Sequence, residues 1–218
     1  MASTCNGCGV HSEAGRYNLN PMSLIARISR HFEDSAQLKL ACVETLAGPI
    51  AQAVELAVAA LAADRKIMAC GNGGSAADAQ HLAAELVGRF ERERPELAAI
   101  ALTTDSSILT AVGNDYRFEE VFARQVRALG QAGDVLVAIS TSGSSPNVVA
   151  AVLAARQRSM PVIALTGKGG GRIGELLGEG DAHLCVPHDR TMRIQEVHLL
   201  ILHCLCDGID AALLGDAG

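Results

Sequence analysis

Apolar positions recur at spacings of three and four from Met22 to about Ala63, with Ile25, Ile28 and Phe32 followed by Leu38, Cys42 and Leu46. That period predicts helix. Pro49 lacks the N–H that an interior helical turn needs, so it predicts a second helix opening there and running through Val54, Leu56, Val58 and Leu61. Beyond Ala63 the pattern changes to short apolar runs bounded by turn residues: Ile67–Ala69, Ala98–Leu102, Val135–Ile139, Val162–Leu165 and His183–Val186. Helical stretches lie between and after them, at about Ser75–Phe90, Asp105–Val112, Phe118–Leu129, Pro146–Arg158 and Thr191–Leu213. Continuous apolar strands alternating with helices predict βαβ units and a parallel sheet covered on both faces. Ligands of such sheets bind outside the carboxyl ends of the strands.

Two turns fall at such ends. Cys70-Gly71-Asn72-Gly73-Gly74-Ser75 follows the first run, and Ser140-Thr141-Ser142-Gly143-Ser144-Ser145 follows the third. Glycines let a backbone approach a ligand closely, and N–H groups, hydroxyls and a helix N-terminus around one point hold a phosphate without a lysine. Gly71-x-Gly73-x-x-Ala76 also matches a relaxed dinucleotide fingerprint. That reading wants an acidic residue ending the second strand. Asp105, beyond Thr103-Thr104, fits better as the N-cap of the next helix. The second turn favours a phosphate over a dinucleotide: one hydroxyl suffices for a cap, whereas Ser140, Thr141, Ser142 and Ser145 supply four just before Pro146 starts a helix.

Composition narrows the setting. The chain has 218 residues, enough for one domain with one sizeable core, and a formal net charge of −6, which argues against a duplex-binding surface. A small anionic metabolite remains compatible, because local fields govern a pocket. Seven cysteines, an odd number without regular spacing, predict buried thiols in a reducing compartment rather than disulfides. Cys5, Cys8 and His11 imitate half a zinc site, but no second pair follows. The opening residues read as a loose extension without a secretory pattern, and no apolar run looks long and clean enough to span a bilayer.

Titratable groups complete the candidate chemistry. His81 and Glu85 are four residues apart on the helix that begins at the first turn, and small and apolar neighbours suggest that this helix is largely buried. Glu can act as a general base and His can ligate zinc. Gln195 and His203, eight residues apart, share a face of a helix apolar nearly all round. Buried, they need partners. Those are either the backbone and Asp207, or a site shared with His81 and Glu85. His198 and Glu196 point elsewhere and read as structural; His183 and His188 flank the last strand without an evident role. Gly113-Asn114-Asp115 reads as a turn whose polar side chains could meet sugar hydroxyls.

Taken together, Gly71-Asn72-Gly73-Gly74-Ser75, Arg89-Phe90-x-x-x-Arg94-Pro95, Gly113-Asn114-Asp115, Ser140-Thr141-Ser142-Gly143-x-Ser145 and Arg193-Ile194-Gln195-Glu196-x-His198 resemble the bacterial phosphoheptose isomerase family of sugar-isomerase (SIS) domain proteins. The resemblance covers nearly everything from Ile25 to Leu214. It implies an α/β fold, a single SIS domain built as a flavodoxin-like three-layer sandwich with a five-stranded parallel sheet and N-terminal helices, spanning 21–218 behind the extension 1–20. It implies conversion of sedoheptulose 7-phosphate to D-glycero-D-manno-heptose 7-phosphate, the first step toward the heptose of lipopolysaccharide core. It also implies one zinc per subunit, a cytoplasmic homotetramer with sites near subunit interfaces, and no direct partner in nucleic acid or membrane. By position, His81, Glu85, Gln195 and His203 correspond to zinc ligands, with Glu85 as base and His203 as acid. Asn72, Gly73, Gly74, Glu85, Asn114, Asp115, Ser140, Thr141, Ser142, Ser145 and Gln195 correspond to substrate-binding positions. A related group of SIS-domain proteins, ending in a similar Cys-Leu-Cys-Asp (here Cys204–Asp207), binds the replication initiator protein and supplies the alternative. Glu85, His203, Gly74 and Ser142 place this chain with the isomerases.

Overall fold

The computed structural model describes residues 21–215; Cys5, Cys8 and His11 lie outside the described residues. A long helix α1 (Pro21–Ala62) is followed by β1 (Ile67–Gly71), α2 (Gly74–Val87), β2 (Ala99–Ala101), α3 (Ser106–Asp115), α4 (Ala123–Leu129), β3 (Val135–Ser140), α5 (Pro146–Gln157), β4 (Val162–Gly167), α6 (Gly171–Leu176), β5 (Ala182–Val186) and α7 (Thr191–Leu214). The five strands are parallel in the order β2-β1-β3-β4-β5. That is the flavodoxin-like order, in which the direction of strand addition reverses between β1 and β3. The carboxyl ends of those two strands open the crevice where such folds bind ligands.

Strand alternation divides the core into two layers. Ile67, Ala69, Val135, Val137, Ile139, Ile163 and Leu165 face α1, α2 and α7. Met68, Cys70, Leu136, Ala138, Val162 and Ala164 face α4, α5 and α6. Both strand faces are buried, which is why the strands read as unbroken apolar runs.

Three expectations need correction. Pro49 does not open a second helix; it lies inside the single 42-residue α1. The apolar stripe explains this: Leu38, Cys42 and Leu46 before it and Ala53, Ala57 and Ala60 after it belong to one core layer. Keeping that stripe in phase outweighs the one backbone hydrogen bond that proline forfeits. The stretch 118–129 divides into a short 3-10 turn (Phe118–Glu120) and α4, and the glycine-rich 167–171 leads into α6, which the glycines had concealed. Finally, Met22–Ala62 and Thr191–Leu214 are each long and apolar enough by length and composition to cross a membrane. In α7 the apolarity has a packing cause, since it meets α1 on one side, α2 on another and the sheet beneath.

His198 of α7 sits fully buried, its Nε2 donating to the Thr166 carbonyl oxygen at 2.9 Å. Its Nδ1 has no partner, so the ring must stay neutral. Burial pushes its pKa down to about 4, against a smaller opposing effect of the Thr166 hydrogen bond. The unfolded chain therefore binds the extra proton first, and this contribution to stability is complete above pH 6.5 and lost as pH falls toward 4. The loss should approach about 3 kcal/mol. Urea midpoints measured at pH 7.5 and pH 5 should separate less for His198→Asn than for the wild type.

Candidate active site

The two turns stand side by side because β1 and β3 are paired in register, Gly71 opposite Ile139. In the first, Gly73 takes φ 56 and begins α2 without a side-chain cap. Gly74 is required for another reason: a Cβ there would lie 2.6 Å from Gln195 Nε2. The amide of α7 thus rests directly on the start of α2.

In the second turn Ser145 stands at the N-cap of α5, yet its hydroxyl makes no capping hydrogen bond. Its Oγ instead lies 2.9 Å from Ser140 Oγ, with Ser142 Oγ at 3.5 Å from the same atom. Thr141 and Ser142 are half-buried. Gly143 has φ +62, and a Cβ there would collide with the Gly170 carbonyl oxygen, because the turn is braced against the start of α6. The Ile173 N–H donates to Gly143 O at 2.7 Å. The hydroxyls and the open end of α5 form a rigid polar cup, the type of surface that holds a phosphate.

Acid–base groups meet between α2 and α7. His81 Nε2 and His203 Nε2 are 3.1 Å apart, and His81 Nε2 is 3.4 Å from Glu85 Oε1. Phe90 covers His203, ring centroids 5.7 Å apart. Of the two partner sets open to His203, the structure selects His81 rather than Asp207. Two Nε2 atoms facing each other can share one proton or one cation, not two N–H groups.

Tetrahedral zinc with bonds of about 2.0–2.1 Å sets its ligand atoms roughly 3.3 Å apart. The two separations above agree with such edges, and the donor chemistry of His81, Glu85, Gln195 and His203 suits zinc. Among the described residues no three His, Cys, Asp or Glu side chains close around one point by themselves. Gln195 lies against Gly74 at the start of α2, the helix that carries His81 and Glu85.

Asn114 and Asp115 depart from the turn expected for them. They form the exposed C-terminal end of α3, and Asn114 Nδ2 donates to Asp115 Oδ1 at 2.8 Å. Among the described residues no hydrogen bond ties them to either serine–glycine turn. Asp105 caps α3 as expected, accepting from Ile108 N at 2.8 Å. Glu196 pairs with Arg193, and His183 Nε2 lies 2.8 Å from Thr166 Oγ1, a support beneath the turn after β4. The five described cysteines are free thiols, and burial pushes Cys70 and Cys206 up to about 12, so neither is a nucleophile.

Two residues around the site carry no role in the sequence reading. Asn147 is buried in the first turn of α5 and bonds reciprocally to Asn72. An asparagine directly behind a helix-starting proline was its one visible signal. Arg94, which stands in one of the motifs without a role, is buried and binds Asp210 Oδ1 at 2.6 Å, Glu85 O at 2.7 Å and Leu86 O at 2.9 Å. It joins the end of α2 to α7, the two helices that carry the acid–base groups.

A SIS-domain family model matches residues 30–167. Phosphoheptose isomerase from Azoarcus sp. (strain BH72) is 72% identical over 194 residues, which is 89% of this chain and 98% of the relative. The same enzyme from Dechloromonas aromatica is 66% identical over 89% of this chain and 99% of the relative. The solved structure of phosphoheptose isomerase from Neisseria gonorrhoeae superposes with a TM-score of 0.83 at 57% identity, covering 86% of this chain and 99% of that one. The chain belongs to the phosphoheptose isomerase family of SIS-domain proteins.

Proposed function

We propose that this chain interconverts sedoheptulose 7-phosphate and D-glycero-D-manno-heptose 7-phosphate through an enediol. The convergence of Glu85, His81 and His203 beside an uncapped serine turn carries the reading. An aldose–ketose isomerase must move a proton between C1 and C2 and service the two oxygens. Glu85, with its side chain 23% exposed, is poised to take the carbon-bound proton. His203 serves the oxygens, since a neutral imidazole carries one proton-donating and one proton-accepting nitrogen. Ser140, Thr141, Ser142 and Ser145 hold the phosphate, and Asn72, Gly73, Gly74 and Gln195 line the path between it and the acid–base groups. Gripping the substrate far from the reacting carbons converts remote binding energy into orientation. Asn114 and Asp115 approach sugar hydroxyls from the end of α3. His81, Glu85, Gln195 and His203 would hold zinc, which when bound supplies Lewis acidity at the carbonyl oxygen.

The enzyme works as a cytoplasmic homotetramer and feeds heptose into lipopolysaccharide. Exposed apolar residues on α1 support assembly: Met22, Ile25, Phe32, Leu40 and Val43 are each at least 59% exposed. An apolar groove of about 360 Å³ continues from Val43 to Leu200 between α1 and α7. Such an unpartnered face suits contact between subunits. The alternative, binding to a replication initiator, gains no support from the relatives above, which carry the isomerase's name.

The test is direct. Purified protein incubated with sedoheptulose 7-phosphate, with and without added zinc, should produce the aldose in an NMR time course. Absence of product from folded, zinc-supplied protein would overturn the reading.

A further inference from the structure

The two turns that frame the crevice belong to different βα units, yet one pair of side chains joins them. Asn72 Nδ2 donates to Asn147 Oδ1 at 2.8 Å, and Asn147 Nδ2 donates to Asn72 Oδ1 at 2.8 Å. Asn147 is 2% exposed, whereas Asn72 is half-buried and borders the crevice. We propose that Asn147 is a positioning residue, fixing the Asn72 carboxamide in the one orientation that presents its remaining N–H to the sugar phosphate while holding the first turn against the phosphate cup.

The chemistry of paired carboxamides supports this assignment. In a reciprocal pair each amide uses one N–H and one carbonyl lone pair, leaving the second N–H and the second lone pair free. Rotating one amide alone would set N–H against N–H and oxygen against oxygen, so neither turns independently. For a buried Asn147 that is a structural constraint. For Asn72 at the crevice it is orientation established before substrate arrives, which lowers the ordering cost of binding.

Position gives the pair a second effect. Asn147 follows Pro146 in the first turn of α5, whose open end belongs to the serine cup. Asn72 precedes Gly73, where α2 begins, and α2 carries His81 and Glu85. The pair therefore sets the spacing between the phosphate grip and the start of the acid–base helix. A sugar phosphate has a fixed length between its phosphate and its reacting carbons, so this spacing bears on fit.

The inference rests on the isomerase reading, and the experiment separates the two. The KM and kcat for sedoheptulose 7-phosphate are measured beside its Kd from calorimetry, for wild type, Asn147→Ala, Asn147→Asp, Asn72→Ala and the double variant Asn72→Ala/Asn147→Ala. Asn147→Ala should raise KM and Kd roughly tenfold, as expected when a bound group loses its fixed hydrogen-bond geometry, with kcat changed by less than about twofold. Asn147→Asp keeps the volume but sets oxygen against Asn72 Oδ1, so it should weaken binding severalfold without opening a cavity. The double variant should match Asn72→Ala alone, because Asn147 acts through Asn72. A merely structural role would lower Tm and the active fraction while leaving KM and Kd unchanged, and that result overturns the proposal, as would effects of the two substitutions that multiply. A wild type that binds the sugar phosphate without turning it over would defeat the isomerase reading, with the pair still judged on Kd. A wild type that does neither would overturn both.

Discussion

Glu85→Gln should lower kcat by roughly 10²–10⁴-fold, the contribution expected of a positioned general base. KM should change far less if, as proposed, Ser140–Ser145 hold the phosphate, since they stand on a separate element from α2. The substitution is nearly isosteric and leaves the Glu85 backbone carbonyl with its Arg94 donor, so the fold should persist. Carried out in deuterium oxide, the experiment gains a second readout. Wild type should wash solvent deuterium into C1 or C2 as it cycles through the enediol, and the variant should leave those positions unlabelled. Turnover or labelling at the wild-type rate would remove Glu85 from the role of base and move attention to the facing imidazoles.

The placement of these titratable side chains was legible for a physical reason. His81 and Glu85 lie one helical turn apart, and Gln195 and His203 lie two turns apart, so each pair is placed by helix geometry alone. What one sequence could not provide was the contact between the pairs. The 3.1 Å approach of His81 to His203 depends on α2 and α7 packing together on one face of the sheet. The sheet itself was legible because parallel strands buried on both faces read as unbroken apolar runs. Pro49 misled because a local rule, the missing N–H, was weighed without the long stripe that keeps α1 in one piece. The helix behind Gly167–Gly171 was hidden because glycine suppresses local helix signals while tertiary contact, here the Ile173 N–H bonding Gly143 O, supplies the order. Asn147 and Arg94 escaped for a related reason. Each works only through partners far away in sequence, Asn72 for one and Glu85 and Asp210 for the other.

Arg94→Ala should cost about 3–5 kcal/mol of unfolding free energy, the range for removing one partner of a buried ion pair. Both side chains are almost wholly excluded from water, Arg94 at 1% and Asp210 at 4% exposure. Asp210 Oδ2 already lacks a partner, so removing the guanidinium would strand the whole carboxylate. The Glu85 carbonyl would lose its Arg94 donor as well, and the Leu86 carbonyl one of two, keeping the Leu97 N–H at 3.0 Å. They lie in the last turn of α2, which contains no basic residue of its own, so Arg94 supplies the C-terminal cap from the following loop. Asp210→Asn should be milder, since it removes the charge yet keeps an oxygen for Arg94 Nε. Urea unfolding of the three proteins therefore ranks them wild type, Asp210→Asn, Arg94→Ala, with the last near the margin of a typical domain. A loss below about 0.5 kcal/mol for Arg94→Ala, the range of ordinary surface substitutions, would contradict this account. The ranking bears on catalysis because the guanidinium is bonded to the backbone of Glu85 itself. When the cap goes, the end of α2 frays first, and the Glu85 carboxylate should lose its alignment with His81 and His203 before the sheet beneath them unfolds.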